Sequence, residues 1–132
     1  MSASRLLFDR PMGRDHTKLR FFSIADGLTL RVYRVTESLP AAERYGLQSQ
    51  MRRASVSVVT NVVEGACRRT DKAYSQFLEI ALGSASEVRY LLELSIRLQL
   101  LKAEAVTPLA AEYSTVVKGL QALITKIADC ET

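Results

Sequence analysis

Residues 45–65 read YGLQSQMRRASVSVVTNVVEG, and the way this stretch folds decides the architecture. Leu47, Met51, Ala54, Val58, Val62 and Gly65 recur at intervals of three and four, the apolar stripe of an amphipathic helix. Val56, Val59 and Val63 add a second apolar strip, so a wide arc must be covered. Ala54, Ser55 and Ser57 are small and permit close approach by a neighbouring helix, which predicts a central helix from about Ala42 to Cys67. Its β-branched valines disfavour an isolated helix. Burial against the rest of the chain has to stabilise it.

Upstream, Phe22, Ala25, Leu28, Val32, Val35 and Leu39 predict a helix from about Lys18 to Ser38. Gly27 weakens it by about 1 kcal/mol relative to alanine. Pro40 closes the segment, because a residue preceding proline avoids the helical region. Downstream, Thr70 is a good N-cap for a long helix from Asp71 to about Leu101. One seam on that helix is Phe77, Ile80, Ser84, Val88, Leu91, Ser95 and Leu98; a second is Tyr74, Leu78, Leu82, Ala85, Leu92 and Ile96. Two seams exceed what one neighbour in the chain would cover: either the bundle buries both or one faces another subunit. Gly83-Ser84 marks a close crossing or a kink. Residues 102–107 read as a connection, with Thr107 capping a last helix and Pro108 at its first position. Leu109, Tyr113, Val116, Leu120, Leu123 or Ile124, and Ile127 share one face of it, and it ends near Asp129. The expectation is an all-α, up-and-down four-helix bundle over residues 18–130, behind a flexible or loosely docked arm over residues 1–17.

The chain has 132 residues, 48% apolar and 24% charged, in keeping with a single globular domain. No apolar run approaches the roughly 20 residues that cross a bilayer, and the N-terminus has no signal-peptide core, so a cytoplasmic protein is expected. Cys67 and Cys130 lack the neighbours of a zinc site or disulfide framework and read as free thiols. His16 is the one histidine, too few for a triad or a metal site. The net charge of +4 is unevenly spread: residues 1–69 carry 12 Lys/Arg against 6 Asp/Glu, and residues 70–132 carry 6 against 8. A basic first half can attract polyanions.

Two groups of polar residues need explaining. Arg68, Arg69 and Lys72 cluster at the turn between the second and third helices. The negative end of a helix dipole accounts for cations there, and phosphate contact is the sharper reading. Arg52, adjacent to Arg53 but about 100° away around the helix, joins the candidate phosphate contacts, and Arg20, Arg31, Arg34 and Arg44 could extend that surface. Nothing indicates base-specific single-strand readout. Arg53, Asn61, Glu64 and Glu87 form the second group, read as a buried or half-buried network between the second and third helices that fixes register or subunit packing. A paired-carboxylate metal or acid–base site on Glu64 and Glu87 is the rival, but carboxylate-bridged bundles carry Glu-x-x-His motifs that this chain lacks. No catalytic residue, metal ligand or cofactor site is expected.

With those residues set out, Glu43–Ser57 (ERYGLQSQMRRASVS), Asn61–Gly65 (NVVEG), Arg68 and Phe77–Glu87 (FLEIALGSASE) resemble a known family. Its members are small four-helix-bundle proteins first noticed as reading frames in intervening sequences of bacterial large-subunit ribosomal RNA genes. The family pattern reads E-x-Y-G-L-x-x-Q-x-R-R-A-x-x-S, then N-I-A-E-G, then F-L-x-x-A-x-G-S-x-x-E. Val62-Val63 stand here where the family usually has Ile-Ala, and the resemblance spans about residues 18–128. It implies a ring-shaped homopentamer with helix faces shared between subunits. A relative of the same bundle class, the accessory protein of diversity-generating retroelements, is a basic pentamer that binds nucleic acid and its reverse transcriptase. The resemblance supplies no catalytic residue. The expected function is therefore a non-enzymatic, oligomeric accessory protein that binds RNA or DNA through a basic surface. The alternative is a scaffold that recruits a protein partner and binds no nucleic acid.

Overall fold

The computed structural model describes residues 14–130, which contain four α-helices and two 3-10 turns and no strand. Helix α1 is Arg20–Thr36, α2 is Leu47–Ala66, α3 is Asp71–Arg97 and α4 is Ala103–Cys130. The 3-10 turns, His16–Lys18 and Ala41–Glu43, precede α1 and α2. Each helix packs on its neighbours in chain order and α4 closes back on α1, the arrangement of a four-helix bundle.

The stripe of α2 goes inward as its spacing demands. Leu47, Met51, Ala54, Val58, Val62 and Gly65 are all buried, together with Ser55 and Ala66. On α1 the buried set is Phe21, Ala25, Leu28, Val32 and Thr36, so Phe21 takes the place expected of Phe22. Phe21 lies against Gly119, where a Cβ would sit 2.7 Å from the Phe21 Cβ. Tyr113 of α4 is fully buried, and burial pushes its hydroxyl far above the ordinary tyrosine range despite the nearby Thr29 hydroxyl and Arg31.

The helix ends depart from expectation in three places. The second helix begins at Leu47 rather than about Ala42, because Ala41–Glu43 is a 3-10 turn and its N-cap Gly46 takes a non-helical ψ of −111°. The last two helices meet differently: α3 stops at Arg97 rather than Leu101, and α4 begins at Ala103 rather than Pro108. Gln99, just past α3, takes a positive φ of 60°, the left-handed turn that terminates a helix; the Leu100 N–H then donates back to the Ser95 carbonyl at 2.9 Å. Val106 is completely buried, which draws the first turn of α4 into helical form and leaves Pro108 inside it. Of the Gly83-Ser84 pair within α3, Ser84 meets Ser57 of α2 hydroxyl to hydroxyl at 2.8 Å, whereas Gly83 does not face a neighbour. This glycine is exposed, and a Cβ added there would meet nothing within 4 Å. It marks no crossing within the chain.

Residues 14–17, expected to belong to the arm, are packed on the bundle. Asp15 caps the first 3-10 turn by accepting from the Thr17 N–H at 3.0 Å, and the hydrogen bond from the Thr17 hydroxyl and nearby charge hold its carboxyl below the usual range. His16 is buried edge-on against Phe22, ring centroids 4.7 Å apart. The remainder of the expected arm, residues 1–13, lies outside the described residues.

Candidate nucleic-acid interface

The turn between α2 and α3 gathers most of the candidate cations. It forms because α2 ends at Ala66, Cys67 closes its last turn, and Thr70 caps α3 by accepting from the Ala73 N–H at 3.1 Å. Arg68 leans back over this end. Its Nε donates to the Glu64 carbonyl at 3.2 Å, and its guanidinium lies 5.3 Å from the centre of the Phe77 ring. Arg69 and Lys72 are exposed and make no hydrogen bond or ion pair among the described residues.

Arg14 completes the turn, and sequence reasoning missed it. Its N–H donates to the Ala66 carbonyl at 3.2 Å, and its guanidinium donates to the Arg68 carbonyl at 2.9 Å. The same guanidinium pairs with Asp71 and stacks 4.4 Å from the centre of the Tyr74 ring. Carbonyls at a helix C-terminus lack partners within the helix, and Arg14 supplies donors to this end. By pairing with Asp71 it also offsets the one carboxylate among residues 67–72. Arg68, Arg69 and Lys72 are exposed and make no ion pair among the described residues, Arg68 alone leaning back on the Glu64 carbonyl and Phe77. No periodicity surrounds Arg14, so nothing in the sequence flagged it.

Arg52 does not belong to this cluster. About 14 residues of helix, roughly 20 Å, separate it from the end of α2. It is half-buried against α1: its Nε donates to the Thr36 hydroxyl and its Nη2 to the Tyr33 carbonyl, both at 3.0 Å. Its guanidinium also sits 4.6 Å from the centre of the Tyr33 ring. Beside it the Gln48 amide donates to the Thr36 carbonyl at 3.0 Å. Arg52 and Gln48 therefore satisfy the C-terminal end of α1. Of the other basic residues, Arg31 is paired with Glu112, whereas Arg20, Arg34 and Arg44 are exposed.

The four-residue network between α2 and α3 does not form within the chain. Arg53, Glu64 and Glu87 are all exposed, and their side chains make no hydrogen bond or ion pair among the described residues. The reason is register. These positions fall on the outer rim of the α2–α3 seam, where water serves a charge better than a partner on the next helix. Asn61 turns back on its own helix, donating to the Ser57 carbonyl at 2.8 Å and the Ser57 hydroxyl at 3.0 Å. The polar link across the seam is instead Ser57 to Ser84, hydroxyl to hydroxyl at 2.8 Å. In the sequence both serines stand out only by their small size.

Two apolar strips remain partly outside. On α3, Ile80 is 52% exposed with Phe77 half-buried; on α2, Val56 is 36% exposed with Val59 and Val63 half-buried, on the flank that carries Arg52 toward α1. The α3 seam expected to exceed the needs of the bundle thus divides: Val88, Leu91 and Ser95 are buried, while Ile80 and Leu98 face out. Among the described residues no group of three or more His, Cys, Asp or Glu could hold a metal ion, and Cys67 and Cys130 are free thiols. No described helix is long and apolar enough to cross a membrane.

A family model described as the 23S rRNA-intervening sequence protein matches residues 17–122. Among solved structures, the chain is similar to a crystal structure from Bacteroides thetaiotaomicron, described as a protein with unknown function from the S23 ribosomal protein family. The likeness has a TM-score of 0.73 at 22% identity, covering 80% of this chain and 95% of the other. That likeness supports the fold. No curated protein matches the chain.

Proposed function

Because the chain belongs to the 23S rRNA-intervening sequence protein family, whose solved neighbour has no known function, we propose its role from its own surface. The protein is a non-enzymatic, cytoplasmic accessory protein that binds the phosphate backbone of RNA or DNA. It acts as a homo-oligomer, a pentamer by the family resemblance. The observation that carries this reading is the α2–α3 turn, where Arg68, Arg69 and Lys72 face solvent while Arg14 occupies Asp71. Phosphates are held by such cations without base contacts. Repetition of the turn around an oligomer turns a weak patch into an avid one.

Fluorescence anisotropy with a labelled duplex DNA and a labelled hairpin RNA tests it. Binding should fall steeply with salt, and Arg68→Ala/Arg69→Ala should make the plot of log affinity against log salt shallower by about 2 for each copy of the turn engaged on the duplex, near 0.9 for each phosphate no longer neutralised. No binding of either probe at low salt would sink the reading. The exposed Ile80 of α3, beside the half-buried Phe77, supports the alternative, a scaffold for a protein partner. Salt-insensitive capture of a protein without any shift of nucleic acid would favour it.

A further inference from the structure

The side of the bundle where α4 closes on α1 lies opposite the α2–α3 seam, and it is grooved. Near the start of α1 a hollow of about 510 Å³ opens between the two helices, floored by Phe21, Ile24 and Gly119 and edged by Arg20, Thr115 and Lys118. Further along, Val35, Ala105 and Leu109 line a second hollow of about 280 Å³ beside Arg31 and Arg34. Ile24 and Val35 stand 11 residues apart on α1, and Leu109 and Gly119 stand 10 apart on α4. Roughly 15–17 Å therefore separates the two hollows along the groove.

The edges carry one sign. Arg20, Arg31, Arg34 and Lys118 border the hollows, and no carboxylate does. Arg31 is paired with Glu112; Arg20, Arg34 and Lys118 are exposed and make no hydrogen bond or ion pair among the described residues. Apolar hollows are filled by apolar side chains, which a phosphate backbone does not carry, and unpaired cations at the edges are complemented by carboxylates. A groove between helices offers no sheet edge to the main-chain groups of an extended peptide, whereas a helix satisfies its own. A helix also returns a side chain to the same face after three turns, 11 residues and about 16 Å on, which matches the distance between the hollows.

We propose that the α1–α4 groove docks an acidic amphipathic helix of a protein partner. Apolar residues at i and i+11 of that helix seat in the two hollows, and carboxylates on its flanks meet Arg20, Lys118 and Arg34. The groove shares no residue with the basic α2–α3 turn. The proposal goes beyond the nucleic-acid reading and does not depend on it.

The probe is a fluorescent synthetic peptide of about 18 residues with leucines at i, i+4, i+7 and i+11 and glutamates on both flanks. Its control has the same composition in an order that gives no apolar face. In anisotropy titrations of the full chain at about 150 mM salt, the amphipathic peptide should bind at least about tenfold tighter than the control. Thr115→Trp, which fills the larger hollow from an exposed position, should weaken that binding at least about tenfold. Arg34→Glu/Lys118→Glu should do the same, and a peptide with lysines in place of the glutamates should recover binding to this variant. Arg68→Ala/Arg69→Ala should leave peptide binding unchanged. Circular dichroism checks that each variant is folded, with Thr115→Leu and Arg34→Gln/Lys118→Gln as replacements for one that is not. Equal affinity for the two peptides, or an amphipathic peptide indifferent to Thr115→Trp, overturns the proposal. So does a charge-reversed variant that loses duplex DNA but keeps the peptide, which would hand these cations to nucleic acid. A Thr115→Trp variant whose oligomeric mass falls in sedimentation velocity overturns it as well, and gives the groove to a second copy of the chain.

Discussion

Counting arginines in a sequence measures charge, whereas the structure shows how much of that charge is already committed. Arg52 is the clearest case. Its two hydrogen bonds and its stack on Tyr33 close the end of α1, where a cation also meets the negative end of the helix dipole. Arg52→Ala should lower stability by about 2 kcal/mol, the range for losing part-buried hydrogen bonds from a charged group. Chemical denaturation measures this loss, and binding of the labelled probes should stay unchanged under conditions where the variant is folded. Arg52→Lys should recover little of the stability, because an ammonium cannot reproduce a planar fork that bonds two acceptors and stacks. A fall in probe affinity at full helicity would return Arg52 to the interface. None of this was legible beforehand: Arg52 pairs with acceptors on another helix, and a one-dimensional charge count cannot show tertiary acceptors. The cluster of Arg68, Arg69 and Lys72 was legible because its members are close in sequence, and Arg14 was missed because it is not.

At the level of the helix, legibility followed periodicity. Every predicted stripe position of α2 is buried, since the three-and-four spacing is a direct imprint of a one-sided burial surface. Helix ends were harder to read. Pro108 and Thr107 carry strong local start signals, yet burial of Val106 outweighs them. Gln99 ends α3 in a conformation that its residue type does not advertise. The glycine closing the 45–65 stretch reads as a stripe position, and the structure supplies its purpose. At Gly65 an added Cβ would lie 2.9 Å from the Phe77 Cβ and 3.1 Å from the Tyr74 ring. The helices α2 and α3 therefore approach as closely as they do because no side chain stands there. Alanine would gain roughly 1 kcal/mol of helix propensity, but it must push apart two helices over a packed contact, at a typical cost of about 1–3 kcal/mol. Gly65→Ala should therefore lower the denaturation midpoint. Gly83→Ala, with open space around its Cβ position, should raise it in the isolated chain.

For the whole molecule, the informative surface is the one the bundle leaves uncovered. On α3, Ile80 stands 52% exposed beside the half-buried Phe77, and Arg53, Glu64 and Glu87, exposed on the same two helices, α2 and α3, pair with nothing among the described residues. An apolar centre with a polar rim is the anatomy of a protein contact, and an open glycine allows a second helix to come close. The sequence hinted at this through a surplus seam on α3 but could not say which half of it would remain outside. If copies of the chain assemble through this surface, a charge at its centre must be desolvated on assembly, at a cost of several kcal/mol. Ile80→Arg should then shift wild-type oligomers toward monomer in sedimentation velocity, with helicity and thermal midpoint of the bundle retained, because Ile80 is not part of the intrachain core. In a closed ring each copy offers this surface to a different patch on its neighbour, so one substitution should weaken every contact and dissociation should be cooperative. Such a shift would also lower the avidity of nucleic-acid binding while leaving the basic turn intact. A wild-type chain that sediments as a monomer would assign the surface to a different protein. An Ile80→Arg variant that keeps its oligomeric mass would place the subunit contact on another face.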